Sequence, residues 1–202
     1  MITSFDQLDL SKRYTYADYL TWKFKERVEL LRGRVLKMSP APNRRHQDIA
    51  LNLAVMLKKH TSKSPCAVYI APFDVRLPLP EARQKQGKAD TVVQPDIVVV
   101  CDPAKLDEQG CNGTPNLIIE ILSPGNSKRE MKDKMELYQS AGVPEYWIVD
   151  PLRECVNCYH LNEAGHYQSG TPFFAEDDIP SQVLKGFVVQ GREILNELGE
   201  LE

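Results

Sequence analysis

Two short apolar segments, each with one acidic residue inside it, constrain the fold of this chain more than any other feature. The stretch "VVQPDIVVV" covers residues 92–100 and contains Asp96, and "NLIIEIL" covers residues 116–122 and contains Glu120. Strands that are apolar on both sides belong to the interior of a sheet whose two faces are covered. A carboxylate in such a place is costly unless a partner neutralises it. The sequence therefore predicts two central strands that share a need for positive charge.

The pattern around these strands predicts an α/β (α+β) fold: a mixed sheet flanked by helices, with extra β-hairpins at both ends. We expect one domain over residues 1–202, with a catalytic core at about 27–160. In chain order the predicted elements are a helix over 14–26, a hairpin turning at Arg32-Gly33, a helix from about Arg44 to His60 after the N-cap Asn43, the strand "CAVYIAPFDVRLPL", the two acidic strands, the helix "KREMKDKMELYQSAG" ending at Gly142, the strand "PEYWIVDP", a hairpin over 153–169, a "VLKGFVV" strand and a short terminal helix.

Composition limits the classes of function. The 202 residues are 42% hydrophobic and 26% charged, which is typical of a soluble domain. No run reaches the roughly 18 to 20 apolar residues that a membrane helix needs, and the start lacks a signal-peptide pattern, so we expect a cytoplasmic protein without membrane contact. The net charge of −3 disfavours a non-specific DNA binder with a strongly basic surface. Any grip on nucleic acid must be local, and the basic patches 43–46, 58–60 and 127–134 are either such grips or solvated surface.

The five cysteines are odd in number and irregular in spacing, which predicts reduced thiols rather than a disulfide framework. The pair in "CVNC", Cys155 and Cys158, has metal-like spacing, with His160 and His166 nearby. It lies in a predicted strand, where positions three apart point to opposite faces. A zinc site there is therefore a weak hypothesis.

Asp96 and Glu120 converge if their strands are neighbours. Two adjacent carboxylates repel each other, and a site with oxygen ligands alone favours Mg²⁺ or Mn²⁺. A metal ion is then what neutralises Asp96. The alternatives are that Asp96 accepts hydrogen bonds from nearby backbone amides and that Glu120 pairs with an arginine.

A lysine in the following helix adds a second cation. At 100° per residue, Met131, Met135, Tyr138 and Gly142 share one face, while Lys132, Asp133, Glu136 and Gln139 share the other. Lys134 lies on the flank of the apolar face, so its ammonium can approach the sheet; the alternative is that it extends past Tyr138 to solvent. Near the acids it could orient a water and stabilise transition-state charge. We expect it to matter for chemistry and little for stability.

The segments "QPDIVVV", "LIIEILSP" and "KDKMELYQSAGVPEYWIVDP" resemble the Uma-type putative restriction endonuclease family of the PD-(D/E)XK nuclease superfamily, which is abundant in cyanobacteria. "ELLRGRVLKMSPAPNRRHQDIALNL" also fits, so the resemblance spans roughly residues 15 to 198. It implies the superfamily core and Mg²⁺-dependent (or Mn²⁺-dependent) cleavage of DNA. The metal ligands would be Asp96, Glu120 and the backbone carbonyl of Ile121. Lys134 would replace the lysine that the superfamily places two residues after the glutamate, where this chain has Leu122.

The resemblance also points to supporting residues. Glu29 would hold metal or position water, His46 would contact a phosphate, Asp74 would be a third acid, and Glu130 stands where the family often has aspartate. Capping, surface solvation and strand-end hydrogen bonds are the alternatives for the first three. The polar loop 80–91 is predicted to be mobile and to meet substrate.

DNA is the expected partner, and a homodimer is left open. The second hypothesis for function is a non-catalytic module that binds nucleic acid or protein and retains the nuclease fold, because fold alone does not prove activity.

Overall fold

A computed structural model describes residues 2–38, 43–78, 89–123 and 128–195, without the side chains of 128–130. Its helices are α1 (Tyr16–Tyr19), α2 (Arg44–Thr61), α3 (Lys128–Ser140) and α4 (Gly191–Leu195). Its strands are β1 (Val28–Leu31), β2 (Arg34–Lys37), β3 (Ala67–Ile70), β4 (Val75–Arg76), β5 (Val92–Val93), β6 (Ile97–Val100), β7 (Leu106–Asp107), β8 (Gly110–Asn112), β9 (Leu117–Ile121), β10 (Glu145–Asp150), β11 (Cys155–Leu161), β12 (Tyr167–Ser169), β13 (Asp178–Pro180) and β14 (Val188–Gln190).

The strands form two six-stranded sheets and one two-stranded sheet. The first sheet has the order β2-β1-β5-β4-β8-β7, and the second has the order β12-β11-β10-β9-β6-β3. In the second sheet β9 and β10 are parallel, with α3 as their connection, whereas β6 and β9 are antiparallel. The extra hairpins are β1–β2 near the start and β11–β12 and β13–β14 near the end. The predicted fold class is thus confirmed.

The second sheet is covered on both faces, as its doubly apolar strands predicted. On β6, Ile97 and Val99 belong to the cluster that includes α2 residues such as Leu53, while Val98 and Val100 belong to the cluster that includes Tyr138 of α3. This alternation follows from the two-residue period of a strand. The same period applies to β9, where Ile119 belongs to the cluster with α2 and Ile118 to the cluster with α3. Glu120 therefore lies on the α3 side.

The segment "VVQPDIVVV" is not one strand, contrary to expectation. β5 belongs to the first sheet and β6 to the second, and the chain passes between the two sheets at Gln94, Pro95 and Asp96. Pro95 has no amide hydrogen and cannot continue a ladder. Asp96 therefore lies where the sheets meet, immediately before β6.

The predicted helix over 14–26 is also wrong beyond its first turn. Thr15 and Asp18 form a capping box that starts α1, but the helix ends at Tyr19. The Thr21 hydroxyl donates to the Asp18 carbonyl, and the Lys23 amide donates to the carbonyl of Ile2. These contacts take backbone groups away from a longer helix, and the aromatic rings pack instead against Leu30 of β1.

Other boundaries differ in smaller ways. The segment "CAVYIAPFDVRLPL" divides into β3 and β4, which lie in different sheets on either side of Pro72. Between the two acidic strands the chain contains the β7–β8 hairpin, which is absent from the predicted elements. By contrast, α2 begins after Asn43 as predicted, and the Asn43 side chain accepts the amide hydrogen of His46.

Two cysteines contradict the prediction that all five are reduced. Cys66 and Cys101 form a disulfide, because the antiparallel pairing of β3 with β6, which aligns Ala67 with Val100, brings the two flanking residues together. That pairing joins positions 35 residues apart, and the spacing of the cysteines in the sequence does not indicate it. Cys111, Cys155 and Cys158 are buried free thiols.

Within the described ranges, every helix is too short or too polar to cross a membrane. The cytoplasmic location and the homodimer remain predictions.

Candidate active site

Asp96, immediately before β6, and Glu120, in β9, are brought together by the pairing of these two neighbouring strands. β6 pairs with β9 so that Ile97 is opposite Ile119, and one further step of this register aligns Asp96 with Glu120. Residues opposite each other in such a pair are close enough for their side chains to interact. Both acids line the same cleft of about 780 Å³. The Ile121 amide donates a 2.7 Å hydrogen bond to Asp96 Oδ2, so Asp96 is held against the end of β9.

His46 is a direct neighbour of Asp96. Its Nε2 lies 3.2 Å from Asp96 Oδ2, and its ring is buried in the first turn of α2. Burial lowers the pKa of His46, but the hydrogen bond and charge of Asp96 outweigh burial and raise it above its ordinary value of 6.5. The structure therefore places His46 on a carboxylate inside the site.

Glu120 is bound by two donors from α3. Its Oε1 accepts a 2.9 Å hydrogen bond from Lys134 Nζ and a 2.6 Å bond from the Tyr138 hydroxyl. Lys134 and Tyr138 are four residues apart, which places them on one side of the helix. Burial and the nearby charges of Asp96 and Glu29 raise the pKa of Glu120 from 4.5 to about 7, although Lys134 and Tyr138 oppose this shift.

Lys134 contacts two carboxylates from two different sheets. Its Nζ lies 2.9 Å from Glu120 Oε1 on β9 and 3.3 Å from Glu29 Oε1 on β1, and the side chain is 12% exposed. Burial would lower the pKa of Lys134, but the charges of Glu120 and Glu29 raise it well above 10.5. Lys134 is consequently a charged, inward side chain. The alternative in which it extends to solvent is excluded.

Glu29 joins this group through the backbone of "QPD". It is 4% exposed, and its Oε1 accepts the amide hydrogen of Gln94 at 2.9 Å. The Gln94 side chain accepts two hydrogen bonds from Arg27 and donates one to Asp74. Gln94 thus positions three charged residues, and sequence reasoning missed it; the available signal was its place directly before the Pro-Asp pair.

Asp74 lies apart from the acids of the cleft. It accepts hydrogen bonds from Tyr16, Tyr19 and Gln94, and it lines a separate pocket of about 500 Å³ beside Tyr69 and Phe73. The structure therefore does not bring Asp74 to Asp96 and Glu120 as a third acid.

Two predicted features fall outside what the structure describes. They are the side chain of Glu130 and, within the loop 80–91, residues 80–88.

The donor set decides which metal would fit. Among the described residues, no group of three or more His, Cys, Asp or Glu side chains is arranged to hold a metal ion. A cation bound by Asp96, Glu120 and the Ile121 carbonyl would need water or substrate oxygens as its remaining ligands. Mg²⁺ fits this description, because it keeps several waters and commonly binds one or two carboxylates together with phosphate oxygens.

Comparison with known proteins identifies a family. Residues 16–192 match the family model "Uma2: Putative restriction endonuclease". The chain belongs to the Uma2 family.

Two further proteins extend the comparison. An "Uncharacterized protein slr1290" of Synechocystis sp. (strain ATCC 27184 / PCC 6803 / Kazusa) is 23% identical over 153 residues, covering 74% of this chain and 75% of that protein. A crystal structure of "a putative nuclease belonging to DUF820" from Anabaena variabilis ATCC 29413 has a TM-score of 0.69 at 17% identity, covering 90% of this chain and 97% of that one. The likeness to the crystal structure shows a shared fold.

The two carboxylate contacts of Lys134 lead us to revise the expectation that it matters little for stability. We predict that Lys134→Met lowers the free energy of unfolding by about 3 to 5 kcal/mol at a pH near 8, because it leaves Glu29 and Glu120 buried without their cation. The matched control is Lys132→Met, which removes an exposed pair with Glu136 and should cost about 0.5 kcal/mol or less. Urea unfolding of the three proteins measures both values, and equal losses for the two variants would refute the structural role of Lys134.

The raised pKa of Glu120 predicts a pH-dependent stability. Between pH 4.5 and about pH 7 the Glu120 carboxyl keeps its proton in the folded protein and releases it in the unfolded chain. The contribution of Glu120 to the free energy of unfolding therefore falls as pH rises through this range. Wild type should therefore lose more stability than Glu120→Gln between about pH 5 and about pH 8. Urea unfolding at both pH values tests this. Parallel losses in the two proteins would show that Glu120 ionises as readily in the folded state as in the unfolded state.

Proposed function

We propose that this Uma2 chain is a metal-dependent endonuclease that hydrolyses phosphodiester bonds of DNA. The observation that supports it most is the convergence of Asp96 and Glu120 at one end of neighbouring strands, with the Lys134 ammonium bound to Glu120. The family model is described as "Putative restriction endonuclease" and the structural neighbour as "a putative nuclease". The fold and family alone do not establish activity, so the proposal rests on the acids and the lysine.

Asp96, Glu120 and the Ile121 carbonyl would hold Mg²⁺ or Mn²⁺ in this proposal. Such an ion supplies stabilisation of negative charge on phosphate oxygens and a lowered pKa of bound water. The protein contributes the placement of its ligands: the Ile121 amide holds one oxygen of Asp96, and Tyr138 and Lys134 hold one oxygen of Glu120.

Lys134 has the second role in the proposal. Its charge is maintained by Glu29 and Glu120, and it lines the same cleft as the two acids. A fixed cation at that place stabilises the charge that develops on a phosphate under attack and orients the attacking water. Glu29 acts through Lys134, because it holds the ammonium beside Glu120.

A non-catalytic binding module is the competing function. One observation favours it: the described residues contain no cluster of three metal-binding side chains. The two proposals differ in one outcome, which is whether the purified protein cleaves DNA when Mg²⁺ or Mn²⁺ is supplied.

We predict that wild type cleaves plasmid DNA with Mg²⁺ or Mn²⁺ and that Asp96→Asn and Glu120→Gln do not. Lys134→Met should lose about 10²- to 10³-fold in rate, because it removes one electrostatic stabiliser. Single-turnover cleavage, run below the unfolding temperature of each variant, gives these rates. Lys132→Met is the matched control and should cleave as wild type does.

Asp96→Asn purified in the same way also controls for contaminating nucleases. Cleavage at wild-type rate by this variant would refute the assigned acids. No cleavage of any DNA by wild type would favour the binding module.

A further inference from the structure

The described arginines divide into two groups by their partners. One group is paired with carboxylates: Arg45 with Glu154, Arg76 with Asp107, Arg153 with Asp150, and Arg192 with Glu176. The second group comprises Arg13, Arg27, Arg32 and Arg34, and no carboxylate within the described ranges lies at ion-pair distance from any of them. This division leaves out Arg44.

The two groups also differ in position. All four arginines of the second group line the cleft that contains Asp96 and Glu120, whereas none of the paired ones does. In a chain of net charge −3, unneutralised guanidinium groups are thus gathered beside the acids. Salt bridges elsewhere in the protein do not explain this distribution, because the cleft arginines have no such partners among the described residues.

The β1–β2 hairpin gives this group its order. Glu29 is opposite Leu36, and Leu31 is opposite Arg34. Arg34 therefore lies on the same strand face as Glu29, about 7 Å along the hairpin toward its turn. Arg32 follows at the turn, and Arg13 donates to its carbonyl at 3.2 Å.

Arg27 is fixed near the other end of the hairpin. Its Nε and Nη2 both donate to Gln94 Oε1. Because this acceptor is uncharged, it does not neutralise the guanidinium of Arg27. We call Arg13, Arg27, Arg32 and Arg34 the hairpin wall.

Helix α3 also lines this cleft, through Lys134, Asp133 and Glu136, and Glu136 is paired with Lys132. A polyanion in this cleft would be attracted by the hairpin wall, because its arginines have no carboxylate partners among the described residues. Arginine is the side chain best suited to phosphate, because its planar guanidinium offers paired donors.

We propose that the hairpin wall binds the sugar-phosphate backbone of one DNA strand and leads it to the acids. The identity of the polyanion as DNA rests on the proposed function, while the cationic wall rests on the contacts above.

The test is binding of a fluorescein-labelled single-stranded DNA, measured by anisotropy over a range of salt concentrations, in EDTA and again in Ca²⁺. Wild type is compared with Arg34→Gln, with the double variant Arg32→Gln/Arg34→Gln, and with the control Arg192→Gln. The control removes one positive charge, as Arg34→Gln does, from an arginine outside the cleft. Because Arg34 is exposed on an edge strand, its replacement should leave the thermal unfolding midpoint unchanged.

We expect Arg34→Gln to bind several-fold more weakly than wild type and the control to bind as wild type does. The slope of log K against log salt should decrease by about 0.7 for each phosphate of a single strand that the variant no longer neutralises, and by about twice that in the double variant. Equal weakening by Arg34→Gln and Arg192→Gln would show an effect of net charge alone and overturn the proposal. Absence of DNA binding by wild type in both EDTA and Ca²⁺ would also overturn it.

Cleavage assays with Mg²⁺ separate this proposal from the proposed function. Specific binding through the hairpin wall without any cleavage would refute the endonuclease and keep the wall. Cleavage with wild-type binding by the hairpin variants would keep the endonuclease and refute the wall. If the variants lose binding to RNA of the same sequence but not to DNA, the wall recognises a different strand and the proposal fails.

Discussion

The rest of the site depends on one ammonium group held between two sheets. Lys134 of α3 contacts Glu29 from the first sheet and Glu120 from the second, and all three side chains are largely shielded from water. Two buried carboxylates without that cation would repel each other and lose solvation with no compensation. The positions of β1, β9 and α3 at the cleft therefore depend on the same charge. A single interaction links the packing of the sheets to the chemistry.

Much of this arrangement could be predicted because its signals are local. The runs around Asp96 and Glu120 are apolar on both sides, and Lys134 lies at a helical angle that points it inward; both properties follow from the geometry of a strand and a helix. The signal for the start of α2 was equally local, since Asn43 stands directly before the helix and its side chain accepts the amide hydrogen of His46. The family resemblance covered nearly the same residues as the matching family model, and it supplied the expected roles.

What could not be predicted depends on partners far apart in the chain. The Gln94 amide donates a hydrogen bond to Glu29 across 65 residues, and no local pattern predicts that these two residues pair. The two cysteines of the disulfide are likewise far apart in the chain. The division of residues 92–100 between two sheets also depends on distant strands, and Pro95 alone did not predict it. Asp74 was expected as a third acid from the family resemblance, yet Tyr16 and Tyr19 donate to it in another pocket. Tertiary contacts decided these positions.

The sequence also suggested that a metal neutralises Asp96, whereas the protein itself provides His46 and the Ile121 amide for that purpose. A divalent cation would therefore join groups that already have partners, and direct binding tests the account better than activity does. The measurement is titration with Mn²⁺ near pH 8, followed by electron paramagnetic resonance of the free ion, for wild type, Asp96→Asn and Glu120→Gln. We predict that wild type binds Mn²⁺ and that each substitution weakens binding strongly. Wild-type affinity in both variants, or no binding by wild type, would contradict the proposed metal site.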